Sequence, residues 1–296
     1  MDIVLETDRL GKRYGRTWAL QECSLLLPAG RVAALVGPNG AGKTTLLHLA
    51  VGLLRPDAGT VRVLDSAPYE NTMVLAEIGF VAQDTPLYRD FTAAELITMG
   101  AKLNRRWDAA LARHRLAQLG IPPHRAVGEL SGGQRAQVAL ALALAKRPRL
   151  LLLDEPVARL DPLARREFLQ SLMGSVADSG TTVLLSSHLL ADLERVCDYL
   201  IVLHASRVRL AGGVDDLLAE HKQLVGPRHG NDPVVGDATV LRASHTDRQS
   251  TLLVRTNTSI DDPRWTVHEV TLEDLILAYL AEGGTQSSHE AWGVPA

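Results

Sequence analysis

One nine-residue string constrains this chain more than anything else in it: Gly37-Pro38-Asn39-Gly40-Ala41-Gly42-Lys43-Thr44-Thr45. It fits G-x-x-x-x-G-K-[ST], with Gly37, Gly42, Lys43 and Thr44 at the required places. The apolar run Val32 to Val36 precedes it and reads as a buried strand. Thr45 to Val51 follows and reads as a helix. Strand, glycine loop and helix are the context in which such a string cradles phosphates. The glycines let the backbone curl into a nest of N–H donors, and the helix N-terminus adds the positive end of its dipole. Lys43 is placed to reach β- and γ-phosphates, and the Thr44 hydroxyl to ligate Mg²⁺.

A second apolar run, Leu150 to Leu153, ends in Asp154-Glu155-Pro156. It reads as a buried parallel strand that delivers two acids at its C-terminal edge, where open α/β sheets put their ligands. Asp154 is expected to hold the metal ion through water, and Glu155 to accept a proton from an attacking water.

Leu130-Ser131-Gly132-Gly133-Gln134 opens an Ala/Leu-rich stretch that reads as a helix from Gln134 to Lys146, ended by Pro148. This is a second helix N-terminus with exposed N–H groups and so a second anion site.

With these strings in order, residues 1 to about 215 resemble the nucleotide-binding subunits of ATP-binding cassette (ABC) transporters. The resemblance implies an ATP-binding and ATP-hydrolysing subunit with Mg²⁺. It implies an α/β fold with a RecA-like P-loop NTPase core, an antiparallel β subdomain and a helical signature subdomain. Tyr14 matches the aromatic that stacks on adenine, an interaction of ~1–3 kcal/mol that tolerates different bases. Gln83 matches the glutamine that touches Mg²⁺ and the attacking water and relays movement to membrane subunits. Ser131 to Gln134 match the signature, which in the family completes the ATP pocket of the opposite subunit. Two copies, or this chain and a similar one, then sandwich two ATP molecules about a two-fold axis. Asp161, in Ala158-Arg159-Leu160-Asp161-Pro162, matches the loop that crosses the dimer interface, and His188 the histidine that contacts the γ-phosphate. Three departures stand out: Ala82 where proline is common, Arg159 where a smaller residue is common, and Ala136-Gln137 where a basic pair is usual.

Composition bears on partners. The net charge of −3 gives no global pull toward nucleic acid, and none is expected as a ligand. No run of about 18 uncharged apolar residues occurs, and the acidic start, Met1 to Glu6, lacks a signal-peptide layout. The expected membrane component is a separate multi-span permease, which holds this chain at the cytoplasmic face of the cell membrane. Cys23 and Cys197 have no metal spacing and read as buried thiols in a reducing cytoplasm.

The expected organisation is a cassette over 1–213, with its helical subdomain at about 84–146, and a small α+β extension over 214–296. Gly212-Gly213 marks the expected break, Val214 to Glu220 a short helix, and 222–236 a polar, flexible stretch. Ala238 to Ala243 and Thr251 to Thr256 read as strands, and Thr271 to Leu280 as a helix with Thr271 and Asp274 as its capping box. Leu189 to Val196 reads as a helix and 283–296 as disordered. The terminal Leu-Glu-Asp helix resembles the tails of ATPase subunits from two-component exporters of drugs, antibiotics or lipids, which favours export over import. A soluble cassette acting on ribosomes or DNA is the competing class. The chain has neither a second cassette with a charged linker nor a coiled-coil or Cys-pair insertion. A catalytically dead scaffold is disfavoured because Lys43, Asp154, Glu155 and His188 are all present.

Overall fold

Val32–Val36 (β3) is five apolar residues in a row, every one buried. Leu150–Asp154 (β6) and Thr182–Ser187 (β7) are buried along their whole length too. Strands apolar on both faces need cover on both faces, which is the condition of a central parallel sheet. In the computed structural model, which describes residues 2–188, 193–228 and 238–281, these strands form that centre. The six-stranded sheet runs β5 (Ile78–Val81), β6, β7, β3, β8 (Tyr199–His204), β9 (Arg207–Gly213). All neighbours are parallel except β8 and β9. The register sets Asp154 directly beside Ser186, a pairing on which the site depends.

A three-stranded antiparallel sheet, β1 (Ile3–Tyr14), β2 (Thr17–Pro28) and β4 (Ala58–Val63), lies in the order β2-β1-β4. β1 and β2 are each twelve residues long. Their tight turn places Tyr14 opposite Thr17, with Gly15 taking the positive φ that such a hairpin favours. Helix α1 (Lys43–Ala50) joins the two sheets in one apolar core, with Leu46, Leu47 and Leu49 packed among Leu5, Leu10, Leu35 and Leu150.

After the short helix α2 (Thr72–Ala76), the chain enters a helical layer: α3 (Ala93–Leu103), α4 (Ala109–Gln118) and α5 (Gly132–Ala145). It has its own core around Leu96, Ile97, Leu116, Val127 and Val138. Thr92 and Glu95 form a capping box on α3, and Asp108 caps α4. Helix α6 (Pro162–Ser179) starts at Asp161, whose carboxylate accepts from the Leu163 and Ala164 amides at 3.0 Å each. Pro162 stands at the first helical position, where its missing N–H costs nothing. Arg115 ties α4 to α6. It is buried, and its guanidinium donates to the Ser171 hydroxyl at 2.7 Å, to the Ser171 carbonyl and to Ser175.

The chain divides into two compact units, the first ending at Asp215 and the second beginning at Asp216. After α7 (Val214–Glu220), the second unit has strands β10 (His221–Pro227), β11 (Thr239–His245), β12 (Gln249–Arg255) and β13 (Thr266–Glu269), then α8 (Leu272–Ala281). The strands form an antiparallel sheet in the order β11-β12-β10-β13 over Leu224, Leu252, Val254 and Trp265. Fully buried His221 bonds the Leu217 carbonyl through Nδ1 at 2.6 Å and the Tyr279 hydroxyl through Nε2 at 3.0 Å. Burial lowers its pKa.

One expectation is corrected here. The stretch read as flexible from 222 begins as strand β10, because it pairs on both sides, with β12 and β13. Gly212 and Gly213 still belong to the first unit, pairing with β8 at Leu200 and Tyr199, and the division falls two residues beyond them. The 229–236 part of that stretch, the start of the Leu189 to Val196 helix and the 283–296 tail lie outside the described residues. Thr271 does cap α8, accepting from the Asp274 amide at 3.1 Å. Cys23 is buried. At Cys197, burial and the neighbouring Asp198 charge push the thiol up to about 12.

Candidate nucleotide site

The phosphate loop leaves the C-terminal end of β3 and runs into α1. Gly42 is the N-cap of α1, in left-handed geometry at φ 108°, and no side chain caps the helix there. A Cβ at Gly42 would collide with the Ala19 carbonyl and the Leu20 side chain, so the turn has space only for glycine. Gly40 also has positive φ, and the Ala41 amide bonds back to the Pro38 carbonyl at 3.1 Å. Asn39 and Gly40 form the exposed lip, while Ala41 and Thr45 are buried and Thr44 is exposed.

Lys43 lies deep in this cradle, its side chain only 4 % exposed. Its ammonium donates to the carbonyls of Gly37, at 2.8 Å, and Pro38, at 3.3 Å. It also faces Glu155 Oε1 at 3.3 Å. Glu155 follows directly on β6 and adopts φ 43°, a left-handed conformation costing roughly 1–2 kcal/mol in a non-glycine residue. That turn swings its carboxylate back over the loop. The second carboxylate oxygen meets His188 Nδ1 at 3.1 Å and lies at the limit of hydrogen-bond reach, 3.5 Å, from Gln83 Nε2. Lys43, Gln83 and His188 thus converge on one acid, Glu155.

Asp154 stays on the strand, 1 % exposed. Its Oδ1 accepts from the Ser186 hydroxyl at 2.8 Å, and the same hydroxyl accepts from the Glu155 amide at 2.8 Å. Ser186 therefore fixes both acids at once. Sequence reading passed over it, because its role comes from the β6–β7 register and no local string marks it. Thr44, Gln83 and Asp154 offer hard oxygen donors, the kind Mg²⁺ selects.

Tyr14 ends β1 and is 53 % exposed, open to stacking. Ser131 caps α5: its hydroxyl accepts from the Gln134 amide at 3.2 Å, and the Gln134 side chain accepts from the Ser131 amide at 3.0 Å. Gly132 and Gly133 form the first turn and lie against Leu160 and Ala164. Among the described residues no hydrogen bond joins this segment to the phosphate loop. Arg159 has a partner that its sequence did not suggest, Asp84, at 2.9 Å. That ion pair links the segment after Gln83 to the loop before Asp161.

The sequence matches the family profile described as ABC transporter over residues 20–158. It is 34% identical over 225 residues to the Nod factor export ATP-binding protein I of Sinorhizobium fredii, covering 74% of this chain and 65% of that protein. It is 32% identical to the bacitracin transport ATP-binding protein BcrA of Enterococcus faecalis, covering 69% of this chain and 67% of that one. The chain belongs to the ABC transporter ATP-binding family. These are the ATP-binding, ATP-hydrolysing subunits of ABC transporters. The alignments span about two thirds of the length of these two relatives. A sulfate/thiosulfate import ATP-binding protein, CysA 2 of Chromobacterium violaceum, is 32% identical over 282 residues, covering 88% of this chain and 76% of the relative. Among solved structures, cbiO1 from Clostridium perfringens, described as part of the ABC transporter complex cbiONQ, superposes with a TM-score of 0.65 at 29% identity. The superposition covers 74% of this chain and 92% of cbiO1. Among the described residues no helix of this ABC subunit is long and apolar enough to cross a membrane.

Proposed function

We propose that this ABC subunit hydrolyses ATP at the Glu155 cluster and powers an exporter whose separate permease holds it at the cytoplasmic face of the membrane. The observation that carries this reading is the convergence of Lys43, Gln83 and His188 on Glu155 beside the phosphate loop. Tyr14 stacks on adenine. The loop from Gly37 to Thr45 receives the phosphates, and Lys43 exchanges its carbonyl partners for phosphate oxygens. Thr44, Gln83 and Asp154 hold Mg²⁺, which when bound neutralises phosphate charge. Glu155 accepts the proton of a water that attacks the γ-phosphorus as the bond to the bridging oxygen breaks. His188, aligned by Glu155, contacts the γ-phosphate. A second copy, or a similar subunit, presents its Ser131 to Gln134 helix end to complete the pocket, with Asp161 at the interface. ATP then joins the pair by linkage, and loss of the γ-phosphate opens it.

The export direction rests on the Nod factor and bacitracin relatives and on the C-terminal helix. Import has one specific observation in its favour: the sulfate/thiosulfate relative aligns over 88% of this chain. Affinity capture of tagged Glu155→Gln protein with ATP from solubilised membranes tests both. Recovery of a permease supports the transporter role, and flux assays in vesicles carrying that permease read the direction. Recovery of ribosomal or DNA-bound proteins with no permease overturns it.

A further inference from the structure

At the opposite end of the parallel sheet from the phosphate loop, where β6 and β7 begin, the first unit has a recess of about 440 Å³. Arg106, Arg147 and Arg149 line it, with Pro148, the turn from Ser179 to Thr182, Val4 and Ala29. Among the described residues no acidic side chain lines it. Three guanidinium groups on one small concavity repel one another unless an anion lies between them.

The acids near these arginines act from outside the lining. Glu77 binds Arg106, and Asp108 accepts from Arg147 Nη2 at 2.7 Å and Nε at 3.1 Å. Each guanidinium has five N–H donors, so both arginines are oriented and keep donors to spare. Arg149 has no hydrogen-bond or ion-pair partner for its side chain among the described residues. Its backbone, by contrast, is tied on both sides: its amide donates to the Glu77 carbonyl at 2.8 Å, and its carbonyl accepts from the Thr182 amide at 3.0 Å. The rim is closed by Thr181 Oγ1 donating to the Pro148 carbonyl at 3.0 Å and by the Gly30 amide donating to Thr182 Oγ1 at 2.9 Å. The walls are therefore fixed, and one cation is left over.

We propose that this recess is a second anion site, distinct from the ATP pocket, which binds the phosphate group of a small metabolite or a lipid headgroup. Guanidinium forks match phosphate oxygens in pairs, and the volume lies in the range of small-ligand pockets. The site owes nothing to the hydrolysis reading, so the two stand or fall separately.

The test is calorimetric titration of inorganic pyrophosphate into the full chain carrying Lys43→Ala, which disables the phosphate loop. Binding should persist in that variant and weaken about tenfold or more when Arg149→Gln is added, the effect of losing a charge-assisted bond. Because Arg149 is exposed, an unchanged melting temperature certifies the fold of the variant. Co-sedimentation with phosphatidylglycerol vesicles, against phosphatidylcholine ones, separates the sources. Arg149-dependent sedimentation names a headgroup, and pyrophosphate binding without it names a free metabolite. Pyrophosphate binding that Lys43→Ala abolishes, or that Arg149→Gln leaves intact, overturns the proposal.

Discussion

Two helix N-termini in this molecule carry glycine-rich entries, and they are finished differently. Helix α1 begins at Gly42, left-handed and without any side-chain cap. Helix α5 begins at Ser131 with both halves of a capping box closed. The first four amides of a helix have no partner within it, so an uncapped end is a standing invitation to an anion. The α1 end thus leaves its amides free, which fits the phosphate-binding role proposed for its loop. The α5 end has met part of its own demand, and the Gly132 and Gly133 amides are what it can offer to something from outside. The difference matches a division of labour in which one end binds nucleotide in each subunit and the other acts on a nucleotide brought by a partner.

The largest expected effect comes from attacking the α1 end. Lys43→Ala should cut phosphate release by roughly a thousandfold, in the range seen when a charge-stabilising donor is removed from a transition state. It also strips Glu155 of its nearest cation. Turnover near the native rate would remove the phosphate loop from the account. Next comes Ser131→Arg, which blocks the α5 end. Turnover should fall about a hundredfold while the monomer binds labelled ATP as before. Unaltered turnover would mean that each chain hydrolyses alone and that the two ends are not complementary. Gln134→Ala opens the capping box and should cost about 1 kcal/mol in urea denaturation, with no change in ATP affinity. A loss of ATP affinity in the monomer would erase the distinction between the ends. The smallest effect belongs to Arg159→Ala. Arg159 and Asp84 are each more than 70 % exposed, and such pairs contribute roughly 0.2–1 kcal/mol. A larger destabilisation would show that the link between the Gln83 and Asp161 loops is structural.

What could be read from sequence was what is encoded locally. Val32 to Val36 and Leu150 to Leu153 announce themselves through apolar runs, and each is found where expected; the helix after Ser131 was legible too, though it starts at Gly132 and not at Gln134. Ser186 was invisible because only the register of β6 against β7 sets it between Asp154 and Glu155. The Arg159–Asp84 pair joins residues 75 positions apart and leaves no spacing to detect. Strand β13 was missed for another reason. Thr266, Val267, His268 and Glu269 are all exposed, so no alternation of burial marks them, and the strand exists only because β10 offers it an edge. Its neighbour β10 buries just His221, Leu224 and Gly226, too sparse a pattern to outweigh its Gly and Pro.

The most direct test of the division between the two helix ends is the mass of the Glu155→Gln protein by light scattering, with and without Mg²⁺ and saturating ATP. This variant keeps the phosphate loop and both helix ends while removing the proton acceptor. The account predicts a monomer without nucleotide and a stable dimer with it, and a monomer in both conditions once Ser131→Arg is added. A Glu155→Gln protein that stays monomeric in saturating ATP, while binding it, would contradict the account.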